Sequence, residues 1–92
     1  DSEKAEHIGL VNQVVEDNNL TESTMTMAKL IASKSSMTLK TGKQAFYKQK
    51  EMSLSDAYDY TSSVMVENML KIDAQEGIDA FIEKRQPKWQ DE

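Results

Sequence analysis

The sequence has no cysteine, which excludes disulfides, thiolate metal sites and cysteine nucleophiles. It has one histidine, His7, so a site built from several imidazoles is excluded as well. Glycine occurs three times and proline once, too rarely to interrupt the chain often, and long helices are expected. No apolar run approaches the roughly 20 residues that span a bilayer, and no signal-peptide pattern is present. Excess positive charge is missing too. The formal net charge is −5 and the pI about 4.8, which argues against a general nucleic-acid binder. What remains is one small domain's worth of chain: 92 residues, 38% hydrophobic and 29% charged. A chain of this length buries only about 60% of the surface it exposes when unfolded. Its core is therefore thin, and a partner surface would help it. The first residue is Asp1 rather than Met, as expected of a piece excised from something longer.

The order of the residues predicts a mainly α chain. Residues 1–9 read as a short helix, capped by Asp1 or Ser2 and ended at Gly9. Residues 10–15, Leu-Val-Asn-Gln-Val-Val, are short and β-branched and read as one strand. A lone strand cannot satisfy its own backbone, so its partner is expected outside these residues. A second helix is predicted over about 20–34, with Leu20, Thr24, Met27 and Ile31 at helical spacing and Ala28 beside them. Ser35 and Ser36 break it. A third helix is predicted over about 38–52, with Leu39, Gly42, Ala45 and Phe46 on one side. Ser53 is placed to cap a fourth that runs to about Lys71, with Ala57, Thr61, Val64, Met65, Asn68 and Ile72 as its stripe. Asp73 is placed to cap a fifth, with Glu76 at the reciprocal position and Ile78, Phe81 and Ile82 as apolar anchors. Pro87 falls past its end, and Trp89 lies in the tail.

Little in this pattern is catalytic on its own. His7 has no nucleophile pattern around it and sits where a helix end tolerates a cation. No carboxylate stands in an apolar context that would raise its pKa for acid–base work. No Gly-rich phosphate loop is present. Residues 29–50 hold six of the eleven basic residues and no acid, which reads as a solvated face or as a site for phosphates or an acidic surface. The six methionines read as core filler or as an adaptable surface. Met25 and Met27 cannot both face one core, so one of them is expected to point to a partner. Phe81 and Lys84 are three apart and share a helix face. Read from spacing, Phe81 is core and Lys84 solvated; alternatively, the ring and the ammonium together suit an adenine and a phosphate.

Two stretches resemble a known family. Gly9-Leu10-Val11-Asn12-Gln13-Val14-Val15 resembles the "GLVN-V-" segment of enoyl-CoA hydratase/isomerase (crotonase) proteins. Residues 73–85 resemble their closing "D-x-x-E-G-x-x-A-F-x-E-K-R" pattern, through Asp73, Glu76, Gly77, Ala80, Phe81, Glu83, Lys84 and Arg85. Within the family, Lys43-Gln44-Ala45-Phe46-Tyr47-Lys48-Gln49 looks most like the subgroup called enoyl-CoA hydratase domain-containing protein 3 and its bacterial relatives.

The resemblance covers essentially the whole chain but only the last third of a family member. It implies the C-terminal helical, trimerising region of the crotonase spiral fold. Residues 1–19 would be the end of the core spiral, and residues 20–92 the helical region. The implied chemistry is hydration or isomerisation of acyl-CoA thioesters, with an oxyanion hole and glutamates that all lie upstream of this segment. No residue here is therefore assigned to catalysis or to a metal, and the chain alone is expected to be inactive. What carries over is the rim of the CoA site, through Phe81 and Lys84 contributed to a neighbouring subunit. The resemblance further implies an acyl-CoA substrate and a homotrimer or hexamer for the longer protein. It implies no cofactor, nucleic acid or membrane, and a mitochondrial matrix or bacterial cytoplasmic location. The competing expectation is a non-catalytic helical assembly or protein-interaction module.

Overall fold

A computed structural model describes all 92 residues. Five helices follow in order: α1 (Ser2–His7), α2 (Leu20–Ala32), α3 (Ser36–Gln49), α4 (Leu54–Met69) and α5 (Ile72–Glu83). A single 3₁₀ turn, Asp17–Asn19, leads into α2. The chain divides into two compact units, Asp1–Ile31 and Ala32–Glu92. No helix is long and apolar enough to cross a membrane.

In the first unit, Asp1 caps α1 by accepting the Lys4 N–H at 2.8 Å. Gly9 follows the helix at φ +78°, a left-handed conformation that glycine adopts without steric penalty. The strand expected at 10–15 does not form. The N–H groups of Leu10 and Val11 both turn back onto the Ala5 carbonyl, at 2.8 and 3.4 Å. That of Val14 donates to a Glu6 carboxylate oxygen at 3.1 Å. These donors are spent on α1, and no second strand is present to accept a ladder. The segment instead lies along α2, where Asn12, Gln13 and Val15 wall a groove of about 360 Å³ with Leu20, Met27 and Ile31. The apolar stripe predicted for α2 thus exists, but the helix buries none of its residues. Met25 and Met27 are both exposed.

In the second unit, α3 packs on α4 and α4 on α5. Ser35 does not merely break α2. Its hydroxyl caps α3 by accepting the Thr38 N–H at 3.3 Å. Ser53 caps α4 as predicted, accepting the Asp56 N–H at 3.2 Å. The Lys48 ammonium of α3 lies 4.8 Å from the centre of the Tyr60 ring of α4, a cation–π contact between the two helices. Ala45 and Ala80 are the buried apolar residues, whereas twenty-one large hydrophobic side chains remain exposed. That excess of uncovered apolar surface means packing of this chain on itself consumes little of its hydrophobic pattern. The anchors predicted for α5 follow the same rule: Ile78, Phe81 and Ile82 face outward, and Asp73 and Ala80 are the residues it buries.

Candidate functional site

The helix α5 and the tail behind it bring the sequence-selected residues together. Asp73 lies in the first turn of α5, past a helix start at Ile72, and its carboxylate is not an ordinary N-cap. It is 2% exposed and accepts three hydrogen bonds from elsewhere in the chain. The Ser35 hydroxyl donates at 2.5 Å, the Gln90 N–H at 2.7 Å and the Asp91 N–H at 3.0 Å. The Asp73 N–H in turn donates to the Glu92 carbonyl at 2.9 Å. Burial pushes the Asp73 carboxyl up, but the Ser35, Gln90 and Asp91 donors together outweigh it. The acid is held below the usual carboxylate range, with the charge of Glu76 opposing.

Glu76 also departs from the reciprocal cap expected of it. It holds the Arg85 guanidinium in a two-pronged pair, 2.6 Å to Nη1 and 3.0 Å to Nη2. It also accepts the Lys88 N–H at 2.7 Å. These bonds, Arg85 first and Lys88 second, bring its pKa down to about 2. Arg85 is further tied to Glu83 through Nε at 2.5 Å, and its pKa is raised by both carboxylates.

The tail therefore returns along α5 as a strap. The edge of the Trp89 ring meets Gly77, with Cη2 3.4 Å from where a side chain at residue 77 would begin. The indole N–H of Trp89 donates to the Ser33 carbonyl at 2.8 Å. Asp91, itself at φ +60°, accepts the N–H of Ser36 at 2.9 Å. Sequence reasoning left Trp89 without a role, although one large ring just beyond the only proline was the available signal.

Phe81 and Lys84 stand apart from this framework. Phe81 is 85% exposed, too open for the core position its spacing suggests. It stands at the lip of an apolar groove of about 590 Å³ that also takes in Leu39, Met69, Ile78 and Trp89. Lys84 ends α5 in the left-handed conformation, at φ 54° and ψ 42°. The Arg85 N–H closes the turn on the Ala80 carbonyl at 3.0 Å. A non-glycine residue held there costs roughly 1–2 kcal/mol. Its ammonium takes part in neither of the chain's ion pairs, which both belong to Arg85. Within the stretch from Asp73 to Arg85, the other motif side chains are thus engaged or buried: Asp73 and Glu76 anchor the tail, Gly77 admits the ring, Ala80 is core and Glu83 holds Arg85. Phe81 and Lys84 are left exposed, three residues apart at the end of α5, outside this framework. No cluster of side chains suited to a metal is present.

The profile of the enoyl-CoA hydratase/isomerase family matches residues 1–92. The chain is 47% identical over 81 residues to enoyl-CoA hydratase domain-containing protein 3, mitochondrial, of Xenopus laevis, covering 88% of this chain and 28% of that protein. The human protein of the same name is 46% identical over 84 residues, covering 91% of this chain and 28% of its own length. Among solved structures, the human domain-containing protein 3 superposes with a TM-score of 0.82 at 47% identity, over 88% of this chain and 32% of that one. An enoyl-CoA hydratase of Mycobacterium smegmatis superposes with a TM-score of 0.86 at 36% identity, over 96% and 34%. The chain thus spans about a third or less of the relatives it matches. The helical region expected from the two motifs is the one these structures share, and Lys43–Gln49 falls within the stretch matched to the domain-containing protein 3 subgroup. This chain belongs to the enoyl-CoA hydratase/isomerase family.

Proposed function

We propose that this chain is the helical part of an acyl-CoA hydratase or isomerase, and that its own contribution to the chemistry is a rim for the adenosine end of coenzyme A. In this reading, residues 1–19 end the core spiral and residues 20–92 form the helical region. No residue of the chain acts as acid, base or nucleophile. The observation that carries the reading is the outward-facing pair on α5: Phe81 is 85% exposed, and Lys84 follows one turn later, outside any ion pair. An open aromatic face stacks on a purine, a contact worth about 1–3 kcal/mol. An unpaired ammonium beside it serves a phosphate as a point charge. Neither side chain takes part in the bonds that fasten the tail, so both are free for a ligand. The uncovered apolar residues of α2 in the first unit, and of α4 and α5 in the second, suit contacts with the core spiral and with other subunits of a trimer or hexamer. The compartment is then the mitochondrial matrix or a bacterial cytoplasm, the first in keeping with relatives named as mitochondrial.

Amide-resolved NMR of the chain with coenzyme A tests the reading. Shifts confined to the end of α5, with a Kd of about 1 mM, are expected. Phe81→Ala and Lys84→Ala should each remove most of the response. A spectrum that coenzyme A leaves unmoved would overturn the assignment of these two residues.

A second reading, an assembly module in which ligand contact is incidental, is favoured by the groove along α2 with Leu20, Met27 and Ile31 open on it. Sedimentation separates the two: a well-folded chain that stays monomeric at high concentration would count against assembly.

A further inference from the structure

Lys84 is left-handed without being glycine, and the guanidinium of the residue that follows it is held by both oxygens of Glu76. From Arg85 onward, the tail is fastened at two places on α5. Glu76 takes the guanidinium with both oxygens and the Lys88 N–H with one of them. One turn earlier, Asp73 takes the N–H groups of Gln90 and Asp91. The same Asp73 receives the Ser35 hydroxyl, so the strap is referred to the start of α3 as well as to α5. Between the two fastenings, the edge of the Trp89 ring meets Gly77.

A chain leaving α5 toward Glu76 must reverse direction within one residue, and a left-handed residue is what reverses it. The left-handed turn is closed by the Arg85 N–H on the Ala80 carbonyl, and the fastenings begin at that same Arg85. The left-handed conformation in turn sets where the Lys84 side chain leaves the helix relative to Phe81.

We propose that Glu76 and Arg85, backed by Asp73 through the strap, are positioning residues: they hold Lys84 left-handed, so that its ammonium is set beside Phe81 for a phosphate-bearing ligand. The inference rests on the coenzyme A reading of Phe81 and Lys84. It adds that the geometry of the pair is imposed from the far side of α5, by residues that never meet the ligand. Arg85 is suited to this because its planar group matches a carboxylate in two places, which an ammonium cannot do.

The test uses the 92-residue chain, coenzyme A as the probe, and two readouts per variant: the Cα and Cβ shifts of Lys84, and the Kd for coenzyme A. In Glu76→Gln and Arg85→Gln, the left-handed shift signature at Lys84 should be lost and the Kd should rise at least tenfold. Arg85→Lys should fall between these and wild type in both readouts. Should Glu76→Gln unfold the second unit, Arg85→Lys, which keeps the charge, decides the matter by the same two readouts. A variant that frees Lys84 from its left-handed conformation but binds coenzyme A as wild type does would overturn the positioning role. So would a Lys84 signature indifferent to Glu76 and Arg85. Both results would leave the coenzyme A reading standing. A wild-type chain that does not respond to coenzyme A would remove that reading and the positioning role together.

Discussion

The two units hold together by different means. In Asp1–Ile31, neither helix buries a residue, and the linking segment is fixed by a few bonds to α1 and by its position along α2. In Ala32–Glu92, four residues are buried, and two of them, Ser35 and Asp73, are polar and bonded to each other. The second unit is therefore organised around a hydrogen-bonded carboxylate that gathers three separate stretches of chain. The first has no such centre, only an apolar stripe left open. Where apolar burial is scarce, a satisfied polar cluster can specify a structure, because each buried donor and acceptor has only one arrangement that completes it.

The comparison can be broken most severely with acid. Glu76 has a pKa of about 2 in the folded chain against an ordinary 4.5, and Asp73 is lowered as well. A folded pKa below the unfolded one stabilises the fold above about pH 4.5, and that contribution is lost as pH falls toward 2. Between pH 6 and pH 2, the tail should detach, read as a change in Trp89 fluorescence, while the residues of the first unit show no matching step. Fluorescence that stays flat to pH 2 would contradict this. Trp89→Ala comes next. It removes the contact on Gly77 and the bond to Ser33, and, since the ring is half-buried, should cost about 2–3 kcal/mol in urea unfolding of the second unit. The smallest effect belongs to the first unit. Met25 is 50% exposed on a helix with no buried residue, so Met25→Ala should change stability by less than about 0.5 kcal/mol.

What the sequence disclosed followed the range of the interactions. Caps that act over three residues were legible: Asp1 and Ser53 perform as expected. The positions of α2 to α5 followed to within a few residues from periodicity, the break at Ser35 and the cap at Ser53, although Ile72, read as part of the fourth helix's stripe, opens α5. The roles of Asp73 and Glu76 were not legible as caps, because their partners lie up to 38 residues away, in the Ser35 turn and the tail. The strand at 10–15 failed for a related reason: β-branched residues favour extension, but a strand also needs a partner, and here the backbone donors turn to α1. Phe81 was misplaced by spacing alone: it is exposed rather than core. Helical periodicity tells which residues share a face, and not whether anything covers that face.

Amide hydrogen exchange on the 92-residue chain tests the central claim most directly. If the polar cluster around Asp73 organises the fold, the slowest amides should be those of α3 to α5 and of the strap at Gln90 and Asp91, with residues 1–19 exchanging fastest. Protection that is greatest in residues 1–19, or a strap that exchanges as freely as an unfolded peptide, would contradict it.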